Sequence, residues 1–459
     1  MKRLTSGDPD LDRVLGGGFP RNANVIVMGG PGSGKTVLAE QMVFANAGDR
    51  PALYLTTLSE PLAKIVNYLQ EFAFADLGRI GNEIVYESLA EVLSEDADAL
   101  LAHLTGLIQQ YRPGVIVIDS FKAVGELFPD ARAWRVLVFE LARLLSAYDT
   151  LGLWIGEYSP ESVTALPEFA VADGIVSLQR HQRGTRDERL LKVIKLRGSD
   201  FLGGEHVFEI TANGLRTFPR LVAPAAPSAY DPVAERVQTG IGGLDSMIES
   251  GWLRGTTSLI AGPSGAGKTM VGLHFLRQGV IDGEPGLLVN FQESPIQLER
   301  SIRSLGWDPE SLLGPDRLDL LYRAPVELQI DTIVREMYRR FENNGVRRLV
   351  IDALGDLEKS ALDPRRFTEY LYVLTQEVAR RGITTLLILK ASPAHDATGS
   401  DRLGRDASNM SDNVVLLTMD LGQELIRSIR IVKTRGSSHV GRRQALRLST
   451  EGVFVGERL

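Results

Sequence analysis

Short runs of consecutive apolar residues alternate with longer amphipathic stretches along the whole chain. The run 24–28 predicts a strand, and a Gly-rich turn leads from it into a helix over 35–47. The pattern continues with a strand at 52–57, a helix over 61–74, a helix over 100–111 and a strand at 115–118. A helix over 133–148 and a strand at 151–156 follow. Beyond residue 235 the order returns, with strands at 258–261, 286–291, 348–351 and 384–389. Strands that are apolar on both faces and separated by helices predict a parallel sheet covered on both sides. No apolar run reaches the ~18–20 residues that span a bilayer.

The returning pattern is a duplication. Asp12, Lys35 and Asp119 reappear as Asp245, Lys268 and Asp352, all offset by 233 residues. Lys195-Leu-Arg197-Gly-Ser reappears as Lys433-Thr-Arg435-Gly-Ser, offset by 238. A period of this size is a whole domain rather than a solenoid unit. Closely spaced prolines and alanines without periodicity mark a linker. The expected organisation is a first domain over 1–220, a linker over 221–234 and a second domain over 235–459.

Both copies carry G-x-x-x-x-G-K-T between a predicted strand and a predicted helix. The first comprises Gly29, Gly30, Gly32, Ser33, Gly34, Lys35 and Thr36, and the second Gly262, Gly265, Ala266, Gly267, Lys268 and Thr269. Glycines let backbone N–H groups curl around phosphate oxygens, and the following helix points its positive end at the same anion. The lysine supplies a charge near the β- and γ-phosphates, and the threonine hydroxyl a ligand for Mg²⁺. Asp119 and Asp352 each end an apolar strand, where a carboxylate that helps hold Mg²⁺ belongs. A strand-end aspartate also serves commonly as a helix N-cap. Ten of the 51 basic residues are lysines, and four of those are Lys35, Lys268, Lys195 and Lys433. In a chain that otherwise chooses arginine, these lysines point to a role for a compact, mobile charge.

Composition narrows the classes. The 459 residues are 44% hydrophobic and 24% charged, an ordinary globular balance. The absence of cysteine excludes disulfides, thiolate metal sites and cysteine nucleophiles, and suits a cytoplasmic location. A net charge of −7 argues against nucleic acid or an anionic membrane as a partner. The basic loop from Arg180 to Arg186 reads as a solvated hairpin, and the six histidines show no metal-ligand spacing. Glu157 and Lys390 end the fourth strands, where such sheets place a γ-phosphate sensor, but they differ between the copies.

The doubled phosphate loop, the openings Gly7 to Asp12 and Gly240 to Asp245, and the two Lys-x-Arg-Gly-Ser segments together resemble the KaiC family, RecA-like ATPases best known from the bacterial circadian clock. The resemblance covers nearly the whole chain. It implies an α/β fold of two tandem RecA-like P-loop domains, ATP and Mg²⁺ as cofactors, and a two-tiered homohexamer with ATP at the subunit interfaces. By that likeness Lys195 and Arg197 serve a neighbouring subunit's first site, and Lys433 and Arg435 its second. An arginine supplied in this way is worth ~10³–10⁵ in rate. His439 follows in the second copy as in the family, whereas the first copy continues with Asp200-Phe201.

The departures shape the functional expectation. Family members carry two adjacent glutamates just past the second strand. The second copy has Gln292-Glu293 there and the first has Leu58-Ser59, with Glu60 one step further and Pro61 answering Pro295. Loss of a positioned base costs ~10²–10⁴ in rate. The first domain is therefore expected to bind ATP and hydrolyse it slowly or not at all, and the second to hydrolyse slowly through Glu293, with Gln292 orienting water. The family's autophosphorylated Ser-Thr pair reads Ser408-Asn409, leaving one candidate phosphosite. The sequence ends at Leu459 without the long tail by which the clock protein is activated, a departure from the family that leaves a clock role open. A regulatory protein is the expected partner besides the chain itself. The rivals are a catalytically weak, nucleotide-gated scaffold and a DNA-dependent motor.

Overall fold

The computed structural model describes residues 2–57, 62–94, 96–128, 130–183, 186–222, 234–326, 328–361, 363–390, 402–421 and 425–458. The chain divides into two compact units, Met1–Arg220 and Leu221–Leu459. Most of the anticipated linker lies outside the described residues.

Each unit is built on one nine-stranded sheet. In the first, Asn24–Met28 lies centrally between Leu151–Gly156 and Gly174–Arg183, parallel to both. Val115–Asp119, Ala52–Thr56 and Ile84–Ser88 extend the parallel part outward on one side. On the other side Arg186–Leu196, Glu205–Thr211 and Gly214–Phe218 add antiparallel strands. The second unit repeats this order around Thr257–Gly262. Two tandem RecA-like α/β domains result.

The strict alternation of side chains along a strand divides each apolar run between two cores. Val25, Val27, Val115, Val117, Leu153 and Ile155 join one core with the helix Lys35–Asn46. Ile26, Met28, Ile116, Ile118 and Trp154 join another under Ala97–Tyr111 and Ala131–Ala147. The second unit splits the same way, with Leu259, Leu349 and Leu387 on one face and Ile260, Val350 and Leu386 on the other. This is why the strands read as continuous apolar runs.

Helix ends follow local chemistry. Asp96 accepts from the Ala99 N–H, and Ser294 and Gln297 form a reciprocal capping box in front of Pro295. The helix expected over 61–74 is shorter, Leu62–Leu69. Past it the Ala73 N–H donates to the Ala212 carbonyl at 2.7 Å, a tertiary bond that draws the chain out of the helical path. Among the described residues no helix is long and apolar enough to cross a membrane.

Candidate nucleotide-binding sites

Both phosphate loops follow the central strand of their sheet. Gly34 and Gly267 stand immediately before the helices Lys35–Asn46 and Lys268–Ile281, at φ 98° and 99°. That left-handed conformation favours glycine, and at Gly34 a Cβ would also lie 2.7 Å from Ile210. The helices begin at the lysines, so their free N–H groups and positive ends face the loops.

Lys35 Nζ donates to the Gly29 and Gly30 carbonyls at 2.9 and 2.8 Å. Lys268 Nζ donates to the Pro263 carbonyl at 2.6 Å. Burial lowers the pKa of both lysines, opposed by Glu157 and Asp119 at Lys35 and by Asp352 at Lys268. An anion entering either loop would supply the counter-charge that burial makes favourable. Glu157 lies 3.8 Å from Lys35 Nζ. In the second unit Lys390 takes that place and pushes the Lys268 pKa down further. The two fourth-strand ends thus put opposite charges beside their loops.

Thr36 Oγ1 donates to Asp119 Oδ2 at 3.0 Å, and Thr269 Oγ1 to Asp352 Oδ2 at 2.6 Å. A hydroxyl and a carboxylate meeting at the mouth of a phosphate loop are hard oxygen donors that fit Mg²⁺. Among the described residues no group of three or more His, Cys, Asp or Glu side chains could hold a metal by itself. A cation here would rest on this pair and on phosphate oxygens, which is how Mg²⁺ is normally held beside a nucleotide. Ser33 Oγ is buried within the first loop and has no hydrogen-bond partner among the described residues. Burial, chiefly, and the charge of Asp356 push the Asp352 carboxyl up, while Thr269 and Lys268 oppose them.

Past the second strand of the second unit, Asn290 Oδ1 accepts from the Gln292 and Glu293 N–H groups at 2.9 and 3.1 Å, forming a tight turn. Glu293 is half-buried, and its Oε2 is a buried atom without a hydrogen-bond partner among the described residues. Burial, chiefly, and the charge of Asp352 push its carboxyl up, which moves it toward the range useful for a general base. Gln292 donates Nε2 to Asp356 at 2.8 Å, so its amide is held by that carboxylate. Leu58, Ser59, Glu60 and Pro61 lie outside the described residues.

The Lys-x-Arg segments stand at the far end of each sheet. Leu196 pairs with Gly174, which pairs with Val25 near the start of the strand whose end leads into the loop. From Val25 to the loop is about 13 Å of extended chain. Arg197 pairs with Asp173 at 3.2 Å, and Lys195 Nζ donates to the Ala172 carbonyl. In the second unit Lys433 pairs with Val414, itself beside Leu259, and the loop follows Gly262. Lys433 Nζ donates to the Ser408 and Ser411 carbonyls at 2.8 and 2.7 Å, and Arg435 to the Asn409 carbonyl at 3.3 Å. His439 Nδ1 lies 2.9 Å from Thr434 Oγ1. Ser408 sits near the end of the helix Arg402–Met410, at this same far end. These residues are not brought to their own unit's loop.

Sequence reasoning missed Tyr54, Glu40, Asn290 and Asp356. Tyr54 donates to Asp119 Oδ2 at 2.9 Å, and Glu40 is buried beneath it at 1% exposure. A glutamate on an otherwise apolar helix face was the one available signal.

The fold and the paired loops define a tandem P-loop ATPase of the RecA-like class. The family model of the KaiC ATPase matches the chain twice, over residues 4–222 and 237–459, and the chain belongs to the KaiC family. It is 27% identical to the circadian clock oscillator protein KaiC of Rippkaea orientalis over 456 residues, covering 96% of this chain and 86% of that one. It is also 27% identical to the protein of the same name from Synechococcus elongatus, covering 96% and 85%. The circadian clock protein KaiC3 of a Synechocystis species is 25% identical, covering 100% and 92%.

Proposed function

We propose that both units bind Mg²⁺–ATP, that the second hydrolyses it slowly, and that the first is mainly a nucleotide-stabilised scaffold. The observation that carries this reading is the repeated constellation of loop lysine, threonine and strand-end aspartate, joined in the second unit by the half-buried Glu293. Lys35 and Lys268 hold the phosphates, and Thr36 with Asp119 and Thr269 with Asp352 hold the cation. Bound Mg²⁺ would neutralise the charge that builds on the phosphates during transfer. Glu293 accepts a proton from the attacking water.

The far-end position of Lys195, Arg197, Lys433 and Arg435 supports their service to an adjoining protomer's site, as in a ring. Each such pair would supply positive charge where the leaving phosphates need it. The two-tiered homohexamer follows the family likeness and is part of the proposal. Ser408 shares that end with Lys433, so its phosphorylation would use a neighbour's second site. A regulatory protein partner and a cytoplasmic location complete the reading. Native mass measured with and without Mg²⁺–ATP tests the assembly. A monomer under both conditions, or a chain that retains no adenine nucleotide, overturns it. Phosphate release by Glu293→Gln separates a slow ATPase from a catalytically inert scaffold, which predicts no difference from the parent.

A further inference from the structure

Three polar side chains of the first unit stand where the second has leucine. Glu40 follows Lys35 by five residues, and the residue five beyond Lys268 is Leu273. Tyr54 pairs across its sheet with Tyr86 on one side and Val117 on the other. Leu288 has the same place in the second unit, between Leu320 and Val350. There the three leucines pack together in one apolar core. The fold therefore does not need polar groups at these positions, and burying a carboxyl and phenols is the costlier choice.

In the first unit these groups form a connected set. Tyr86 donates its hydroxyl to Glu40 Oε2 at 2.6 Å, and Tyr68 donates to Oε1 at 3.4 Å. The ring of Tyr86 stacks on that of Tyr54, with centroids 5.3 Å apart and planes at 30°. Tyr54 then donates to Asp119 Oδ2 at 2.9 Å, the same oxygen that Thr36 reaches at 3.0 Å. One donor on a carboxylate oxygen leaves the group free to turn about its Cβ–Cγ bond. Two converging donors fix its plane, and a charge-assisted bond does so firmly. At the second site Leu288 has no hydroxyl to give.

We propose that Tyr54, held by Tyr86 and Glu40, is a positioning residue that fixes the Asp119 carboxylate toward Mg²⁺ in the first site, so that this site retains Mg²⁺–nucleotide longer than the second. The inference rests on the reading of the first site as a binding site for Mg²⁺–nucleotide, and it supplies a physical reason for that site's scaffold character.

The test uses the full chain carrying Lys268→Ala, so that labelled ADP reports the first site. Release of ADP is followed with Mg²⁺ and with EDTA. Tyr54→Phe keeps the stacked ring and removes only the hydroxyl. It is expected to speed release about tenfold with Mg²⁺, the worth of one hydrogen bond to a charged group. Release in EDTA and the thermal midpoint should stay unchanged. Tyr86→Phe should act in the same Mg²⁺-dependent direction with smaller size, and no effect there removes Tyr86 and Glu40 from the proposal. Equal release by Tyr54→Phe and its parent overturns the inference, as does acceleration that is the same in EDTA. If the parent itself holds no ADP, the reading of the first site falls as well.

Discussion

Thr269 donates its hydroxyl to Asp352 across 2.6 Å although 83 residues separate them in the chain. The first unit repeats the contact between Thr36 and Asp119, at the same separation in sequence. Each bond links the first turn of the phosphate-loop helix to the end of a strand two places away in the sheet, so it forms only when those strands and the one between them are in register. Thr269→Val keeps the shape and removes the donor. Phosphate release is expected to fall at least tenfold at limiting Mg²⁺, by the ~1.5–3 kcal/mol of a hydrogen bond to a charged group. A Mg²⁺ titration of turnover checks it, and an unchanged curve would remove the pair from cation binding.

Glu293→Gln is expected to lower steady-state phosphate release ~10²–10⁴-fold. Because burial and Asp352 push the Glu293 carboxyl up, the rising limb of the native pH–rate profile should lie above the ordinary glutamate range. Profiles of both chains over mildly acidic to neutral pH are the measurement. A limb at the usual carboxylate value would count against Glu293 as the base.

Arg435→Ala is expected to cost the ~10³–10⁵ of a supplied arginine in second-site turnover. Mixing Arg435→Ala chains with Lys268→Ala chains should restore part of it. An intact loop on one protomer then meets an intact arginine on the other. A mixture no more active than its parts would mean that the arginine acts otherwise.

Ser408 is expected to gain phosphate on incubation with Mg²⁺–ATP, read by mass spectrometry of the intact chain and its peptides. The mass shift should vanish in Ser408→Ala and in Lys268→Ala. Phosphate that persists in Lys268→Ala would come from elsewhere than the second site.

Glu40 gives a stability prediction. Burial, first of all, and the charge of Asp119 lift its pKa from 4.5 to about 8, while the bonds from Tyr86 and Tyr68 oppose the rise. Between those two values the folded unit holds a proton that the unfolded chain gives up, so stability falls as pH rises through that window. Glu40→Gln removes this dependence. Its first-unit unfolding transition should gain on the native chain on the order of a few kcal/mol by pH 8. Parallel slopes for both chains would show that Glu40 titrates normally.

The sequence by itself determined the doubled architecture and the location of both loops. Two-sided apolar runs such as Asn24–Met28 and Thr257–Gly262 can be satisfied only inside a covered sheet. The G-x-x-x-x-G-K-T spacing encodes a backbone shape that needs no distant partner to be recognised. The tertiary structure decided what surrounds the loops. The helix after the second strand ends at Leu69 because Ala73 bonds to Ala212, far away in sequence. Gln292 turns to Asp356. Tyr54, Tyr86 and Glu40 come from two strands and a helix, and only sheet register and helix packing set them beside Asp119. Such contacts have no local signature, because burial and direction belong to the packed chain and not to any one segment.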